Sequence, residues 1–272
     1  MFDVVTNIFK YAFLQRAFLA GVFISVCVAL LGVNLVFKRC AMIGDGLSHI
    51  GFSTFAVSSA LNWAPFLISI PVVVGFAVFL IMLNENSKVK SDSAIAVLSN
   101  SSLSIGILVL SITTGMNVDV LNYMFGSILT LNSLDLILSV VFSVVVILMF
   151  IFLHNRIFSI TFDEDFAVAT GVNVKRYNVC VAVLTAIVVV VGIKMVGSLL
   201  ISSLIIFPVL SASRVFKKYK TVVIFSALNS VFCFVFGFFC SLIYSIPTGA
   251  TVVISNLAIF LVYSLVGRLK RY

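Results

Sequence analysis

The chain has 272 residues, 62% apolar, 10% charged and 13% aromatic, with a net charge of +8 and a mean hydropathy of +1.28. Soluble domains carry about 25% charged residues, so this composition excludes a water-soluble enzyme, a secreted disulfide scaffold and a disordered tail. It leaves an all-α polytopic membrane protein with room for at most about ten spans and no sizeable soluble domain.

Uncharged apolar runs place the spans in chain order. The first, Ala17 to Phe37, lies between Arg16 and Lys38 and is long enough at 1.5 Å per residue to cross the hydrocarbon core. Further runs are predicted over 42–60, 64–83, 93–114, 134–153, 179–193, 196–210, 222–244 and 251–266. The count is nine, or eight if the runs joined by Gly192-Ile193-Lys194 are one. A single domain over 1–272 is expected. Five cysteines without CxxC spacing read as small core residues. The N-terminal sixteen residues show no small-residue cleavage site, so no removable signal peptide is expected.

Orientation follows from the basic residues. If the loop 154–178 is cytoplasmic and the spans alternate, only Lys10, Arg16 and Lys194 of the 17 Lys and Arg fall outside. The positive-inside bias then puts the C-terminus in the cytoplasm. Lys10 and Arg16 are discordant, and an amphipathic surface helix would absorb them. The +8 balance thus reads as basic cytoplasmic loops, not nucleic-acid binding. No GxxxxGK[ST] segment occurs, so any nucleotide hydrolysis must belong to another polypeptide.

Within the second run, MIGDGLSHIGFSTFAV, Asp45 and His49 are four residues apart and share one helix face. A mid-membrane carboxylate costs about 2.5–3.5 kcal/mol on insertion scales, which makes function its default reading. Carboxylate plus imidazole suits zinc, manganese or iron. The competing arrangement pairs Asp45 with Lys38 and Arg39 at the membrane edge. Asp119 and Asp135 flank an outer segment and read as solvated loop carboxylates or helix caps, with Asp119 a weaker candidate for a metal ligand. Lys194 is expected to snorkel to the headgroups, and His154 to sit at the inner interface. Pro208 frees a carbonyl and kinks its span. Ser202 and Ser203, small and polar, serve close helix packing or line a pathway.

The one sizeable polar loop, HNRIFSITFDEDFAVATGVNVKRY, contains a capping-box pattern from Thr161 to Glu164. Asp163, Glu164 and Asp165 crowd the positive end of the helix dipole, and Gly171 can stop the helix. A short helix over about 162–170 is expected, with Phe162, Phe166 and Ala169 on one face. Two exposed phenylalanines need cover, either from the ends of the spans or from a partner.

GDGLSH, TFDEDFAVATGV, VGSLLISSLIIFP and IPTGATVV resemble, in order, four blocks of the ABC-type zinc/manganese/iron permease family, the membrane subunits of metal importers. The resemblance covers roughly residues 15–255. It implies that Asp45, Ser48 and His49 border the metal pathway, and that Thr161–Gly171 is a coupling helix seated in a groove of a cytoplasmic ABC ATPase. It further implies a homodimer in the inner (cytoplasmic) membrane and an extracytoplasmic metal-binding protein docking near 115–133 and 244–251. The chain departs from some zinc members at Ser127, where they carry an acidic residue, and at Asn100, where they carry His. Ile50-Gly51-Phe52-Ser53 replaces the Leu-Pro-Gly of manganese and iron members, which favours zinc as the transported ion, with no permanently bound cofactor. A proton-coupled secondary transporter using Asp45 and His49 as a relay is the rival. A membrane metalloenzyme would want a third strong ligand and a general base, and the chain has 2 histidines.

Overall fold

The computed structural model describes residues 11–86, 91–113, 124, 126 and 133–269. The described residues form α1 (Ala12–Phe37), α2 (Ala41–Ala60), α3 (Pro65–Asn86), α4 (Ser91–Thr113), α5 (Ser133–Phe162), the short α6 (Glu164–Ala169), α7 (Val174–Val196), α8 (Ser198–Val215), α9 (Tyr219–Tyr244) and α10 (Thr248–Leu269). Eight of these are long and apolar enough to cross a membrane; α2, at 20 residues, is long enough but falls outside that set. Its glycines, serines, Asp45 and His49 dilute its hydropathy.

Apolar composition is nearly uniform, so burial rather than amphipathicity sorts the helices. The apolar windows of α1 and α7 are 72% buried, those of α3, α4, α5 and α10 only 22%. The outer helices present side chains such as Leu67, Ile112, Phe152 and Leu265 at their surfaces, a face suited to lipid rather than water. With no hydrophobic drive between helices in lipid, small residues and interhelical hydroxyl bonds hold such a bundle. Ser230 donates to the Ser25 carbonyl at 2.8 Å, and Thr251 to that of Gly237 at 2.9 Å. The cysteines are all free.

Several helices outrun the predicted runs by a turn or so, and two boundaries differ in a way that matters. The break between the sixth and seventh runs falls at Gly197 (φ 84°, ψ 158°), not at Gly192–Lys194. Gly192 stays within α7, where a Cβ would strike Ile201, whereas Gly197 adopts a conformation that side chains resist. Gly126, itself at φ +78°, lies against that break, with room for no Cβ between it and Val196. The second difference is α5, which runs on to Phe162 instead of ending at Leu153. Ile157 and Ile160, 3% and 2% exposed, continue its buried stripe past Arg156. The 154–178 segment is therefore mostly helix.

Contacts gather the basic residues of 38–39, 175–176, 214–220 and 268 at one end of the bundle. Lys38 reaches Asn178, Tyr219 packs on Phe37 and Phe162, and Gly267 abuts Arg214. Arg16, in the second turn of α1, and Lys194, in the last turn of α7, lie toward the other end. Lys10 is outside the described residues.

Candidate functional site

Helix α2 is wedged into the bundle through its glycines. A Cβ on Gly44 would strike Ile205 of α8, one on Gly46 would strike Ile95 of α4, and one on Gly51 would strike Ile193 of α7. Close approach on three sides fixes the rotation of α2, and with it the direction of Asp45 and His49. These two side chains are 29% and 13% exposed, and His49 Nε2 stands 3.7 Å from Asp45 Oδ1. That separation is beyond a hydrogen bond. His49 Nδ1 is buried with no hydrogen-bond partner, an arrangement rare enough in folded proteins to need a reason. Ser48 is buried and turns its hydroxyl back to the Asp45 carbonyl at 2.7 Å. The pairing of Asp45 with Lys38 and Arg39 does not form: Lys38 is held by Glu164 at 2.6 Å and by Asn178 at 2.7 Å.

The α8 candidates adjoin α2 through Ile205 and Gly44. Ser202 and Ser203 are buried, and each donates to a carbonyl of its own helix, those of Leu199 and Leu200. Pro208 is buried within α8, which continues to Val215. Asp119 and Ser127 lie outside the described residues. Asn100 is exposed on α4. Among the described residues no group of three or more His, Cys, Asp or Glu side chains converges.

Asp135 and Lys194 take up a different arrangement from the expected loop carboxylate and snorkelling lysine. Lys194 Nζ bridges both Asp135 oxygens at 2.9 and 2.8 Å and sits 5.0 Å from the Phe66 ring centre, with Asp135 7% exposed. The pair ties the start of α5 to the end of α7. The residues are 59 apart in sequence, and no local signal joins them.

At the basic end, Asp163 is the N-cap of α6, its carboxylate accepting from the Phe166 amide at 2.9 Å. Thr161 does not cap, because it is still inside α5: its hydroxyl donates to the Ile157 carbonyl and accepts from Asn34 Nδ2 at 2.7 Å. The helix is thus Glu164–Ala169 rather than 162–170. Gly171 at φ 82° closes it, with Gly171 N–H donating to Val168 and Val172 N–H to Ala167, a Schellman stop. Phe162 belongs to α5 and joins Phe37, Phe158 and Tyr219 in an aromatic cluster. Ala167 faces the bundle and Ala169 is exposed. Ala167 and the Glu164–Lys38 pair seat α6 on the span ends, yet Phe166 remains 59% and Val168 60% exposed. Asp165 is exposed beside them.

The family model of the ABC 3 transport family matches residues 10–267. The chain belongs to the ABC 3 transport family. It is 28% identical over 250 residues to the high-affinity zinc uptake system membrane protein ZnuB of Haemophilus influenzae, covering 92% of this chain and 96% of the relative. A ZnuB from Buchnera aphidicola is 30% identical over 239 residues, covering 88% and 91%. The manganese import system permease protein ScaB of Streptococcus gordonii is 26% identical over 270 residues, covering 99% and 97%. In fold it is similar to a chain of PsaBC from Streptococcus pneumoniae, solved in complex with Fab. That match has a TM-score of 0.85 and 24% identity, covering 96% of this chain and 94% of that one.

Proposed function

We propose that this family member is the membrane-spanning subunit of an ATP-driven importer of divalent transition-metal ions, with zinc as its cargo. The observation that carries the proposal is the Asp45–His49 pair, an acid and an imidazole on a long helix that falls outside the eight apolar spans, with His49 Nδ1 buried and unpartnered. A dehydrated divalent ion supplies what such a pair lacks. Two protein ligands leave zinc short of the four it takes in a closed structural site. The remaining positions fall to water or to Asp45 and His49 of a second copy, so the working unit is a homodimer and the ion is held loosely enough to pass on. Zinc rather than manganese rests on the Ile50–Ser53 stretch. The relatives named for zinc and for manganese lie close together in identity, 28% and 26%, and leave that choice to the residues.

The basic end faces the cytoplasm by the positive-inside bias, and with it the C-terminus. There Phe166 and Val168 enter a groove of a separate ATPase subunit. A binding protein delivers the ion at the opposite end. Movement of α6 reaches the site by a short route: Glu164 holds Lys38, Lys38 caps α1, and α2 begins at Ala41, one turn before Asp45. This route makes the α1–α2 corner, rather than the span around Pro208, the principal lever.

Reconstitution of the chain with its cognate ATPase in proteoliposomes tests the function. ATP-dependent zinc uptake exceeding manganese uptake, together with loss of the ATPase on Phe166→Glu, is the expected result. Uptake that persists without ATP or without the ATPase would replace this reading with the proton-coupled carrier.

A further inference from the structure

Beside α6, a cavity of about 980 Å³ opens between the α1–α2 corner, α3 and the start of α7. Glu164 and Val168, one turn apart on the same face of α6, form part of its wall, and Arg39 and Lys175 border it as exposed side chains. Arg39 closes α1: its N–H donates to the Val36 carbonyl and that of Cys40 to the Leu35 carbonyl. This backbone stop fixes where the arginine side chain starts. Lys175 lies in the first turn of α7, at the positive end of a helix dipole that favours an anion beside it.

The charges around the cavity are unequally matched. Lys38 is held by Glu164 and Asn178. Among the described residues, no carboxylate pairs with Arg39 or Lys175. This surplus of positive charge repels a divalent cation and excludes a role as a metal vestibule. The adjoining side of α6 has the opposite sign, with Asp163 and Asp165 exposed. Over a short distance the face therefore changes from acidic to basic.

We infer that the cavity receives an acidic loop of the ATPase subunit, whose carboxylates pair with Arg39 and Lys175. This assignment rests on the reading of α6 as the coupling helix and adds a second contact of stated chemistry. Val168 names the occupant. It is 60% exposed, it belongs to the part of α6 that a partner's groove covers, and it also lines the cavity. A subunit that covers Phe166 and Val168 therefore covers the cavity mouth as well. Under such a subunit Arg39 and Lys175 would leave water with no acid to meet them, and an unpaired buried charge is costly. A carboxylate from the same subunit removes that cost, and a guanidinium can give it two parallel hydrogen bonds. The volume is at the upper end of those that enclose a drug-sized ligand, so it admits a short loop and not only one side chain. Arg39 lies just before α2, which begins at Ala41. The ATPase thus grips the corner that leads to Asp45 directly, besides acting on it through α6.

Binding of the cognate ATPase to the full-length chain in phosphatidylcholine nanodiscs tests this, since no anionic lipid is then present to fill the cavity. Arg39→Gln/Lys175→Gln should weaken binding by roughly tenfold or more, the scale of close charge pairs across an interface, and should flatten its dependence on salt. Arg39→Lys/Lys175→Arg should keep the affinity within a few fold. So should Lys217→Gln/Lys218→Gln, exposed at the same end but outside the cavity. If the Arg39→Gln/Lys175→Gln protein does not fold, a photo-crosslinking amino acid in place of Lys175 decides, and it should attach to an ATPase segment that bears Asp or Glu. Phe166→Glu, run alongside, separates the two levels. Loss of the ATPase in Phe166→Glu with unchanged affinity in Arg39→Gln/Lys175→Gln leaves α6 as the coupling helix and overturns the acidic loop. Equal weakening in Lys217→Gln/Lys218→Gln overturns it too, because net charge alone would then explain the effect. So does a crosslink confined to lipid or to a segment without acids. No binding of the ATPase to wild type overturns both readings.

Discussion

Asp135 and Asp45 are both carboxylates on long helices of the bundle, and each has a basic neighbour, but their surroundings differ. Asp135 is grasped through both oxygens by Lys194 at 2.8–2.9 Å. Asp45 faces an imidazole 3.7 Å away whose other nitrogen has no partner. A charge taken out of water must be compensated. The first pair meets that demand from within the chain and therefore reads as a staple between α5 and α7. The second has no such partner within the chain, and it is the pair proposed above to meet the cargo ion.

The largest effect should come from breaking the staple. Lys194→Met takes the ammonium away from a buried carboxylate, and breaking a buried pair in this way is expected to cost about 3–5 kcal/mol in stability. Thermal unfolding in detergent measures it. Asp135→Asn/Lys194→Met should recover most of the loss, since it removes both charges together.

Next in size is the open pair. His49→Ala or Asp45→Ala should lower ATP-driven zinc uptake by more than the roughly 10–100-fold that follows loss of a supporting outer-shell group. Their unfolding temperatures should stay near wild type, because no hydrogen bond joins the two side chains. A large drop in stability would make this pair a second staple and erase the contrast.

The smallest effect sharpens the picture at the basic end. Asp163→Ala removes the N-cap of α6, worth about 1 kcal/mol. In a helix of 6 residues that should loosen α6 and weaken ATPase co-purification while leaving global unfolding unchanged. An unaltered complex would show that the partner itself orders α6.

Much of this was legible in the sequence, because apolar runs between charges are spans almost by definition. The i,i+4 spacing put Asp45 and His49 on one face without any tertiary knowledge. The low hydropathy of α2 also left a readable trace, since a 20-residue helix rich in glycine and serine needs neighbours rather than lipid. What stayed hidden depended on distant partners. Lys194 looked like a headgroup anchor because Asp135 lies on another helix. Thr161 looked like a cap because nothing local showed α5 continuing through Ile157 and Ile160. The Gly197 break was misplaced for a similar reason: two glycines were available, and nothing local showed that Gly192 packs closely against Ile201 inside a continuous helix while Gly197 takes the positive φ.

The most direct test sets the two pairs side by side in one preparation. ATP-driven zinc uptake would be measured in proteoliposomes carrying Asp45→Ala/His49→Ala or Asp135→Asn/Lys194→Met, each normalised to folded complex. Uptake should vanish in the first and persist near wild type in the second. Persistence in the first with loss in the second would contradict the division between an open cargo site and a closed structural pair.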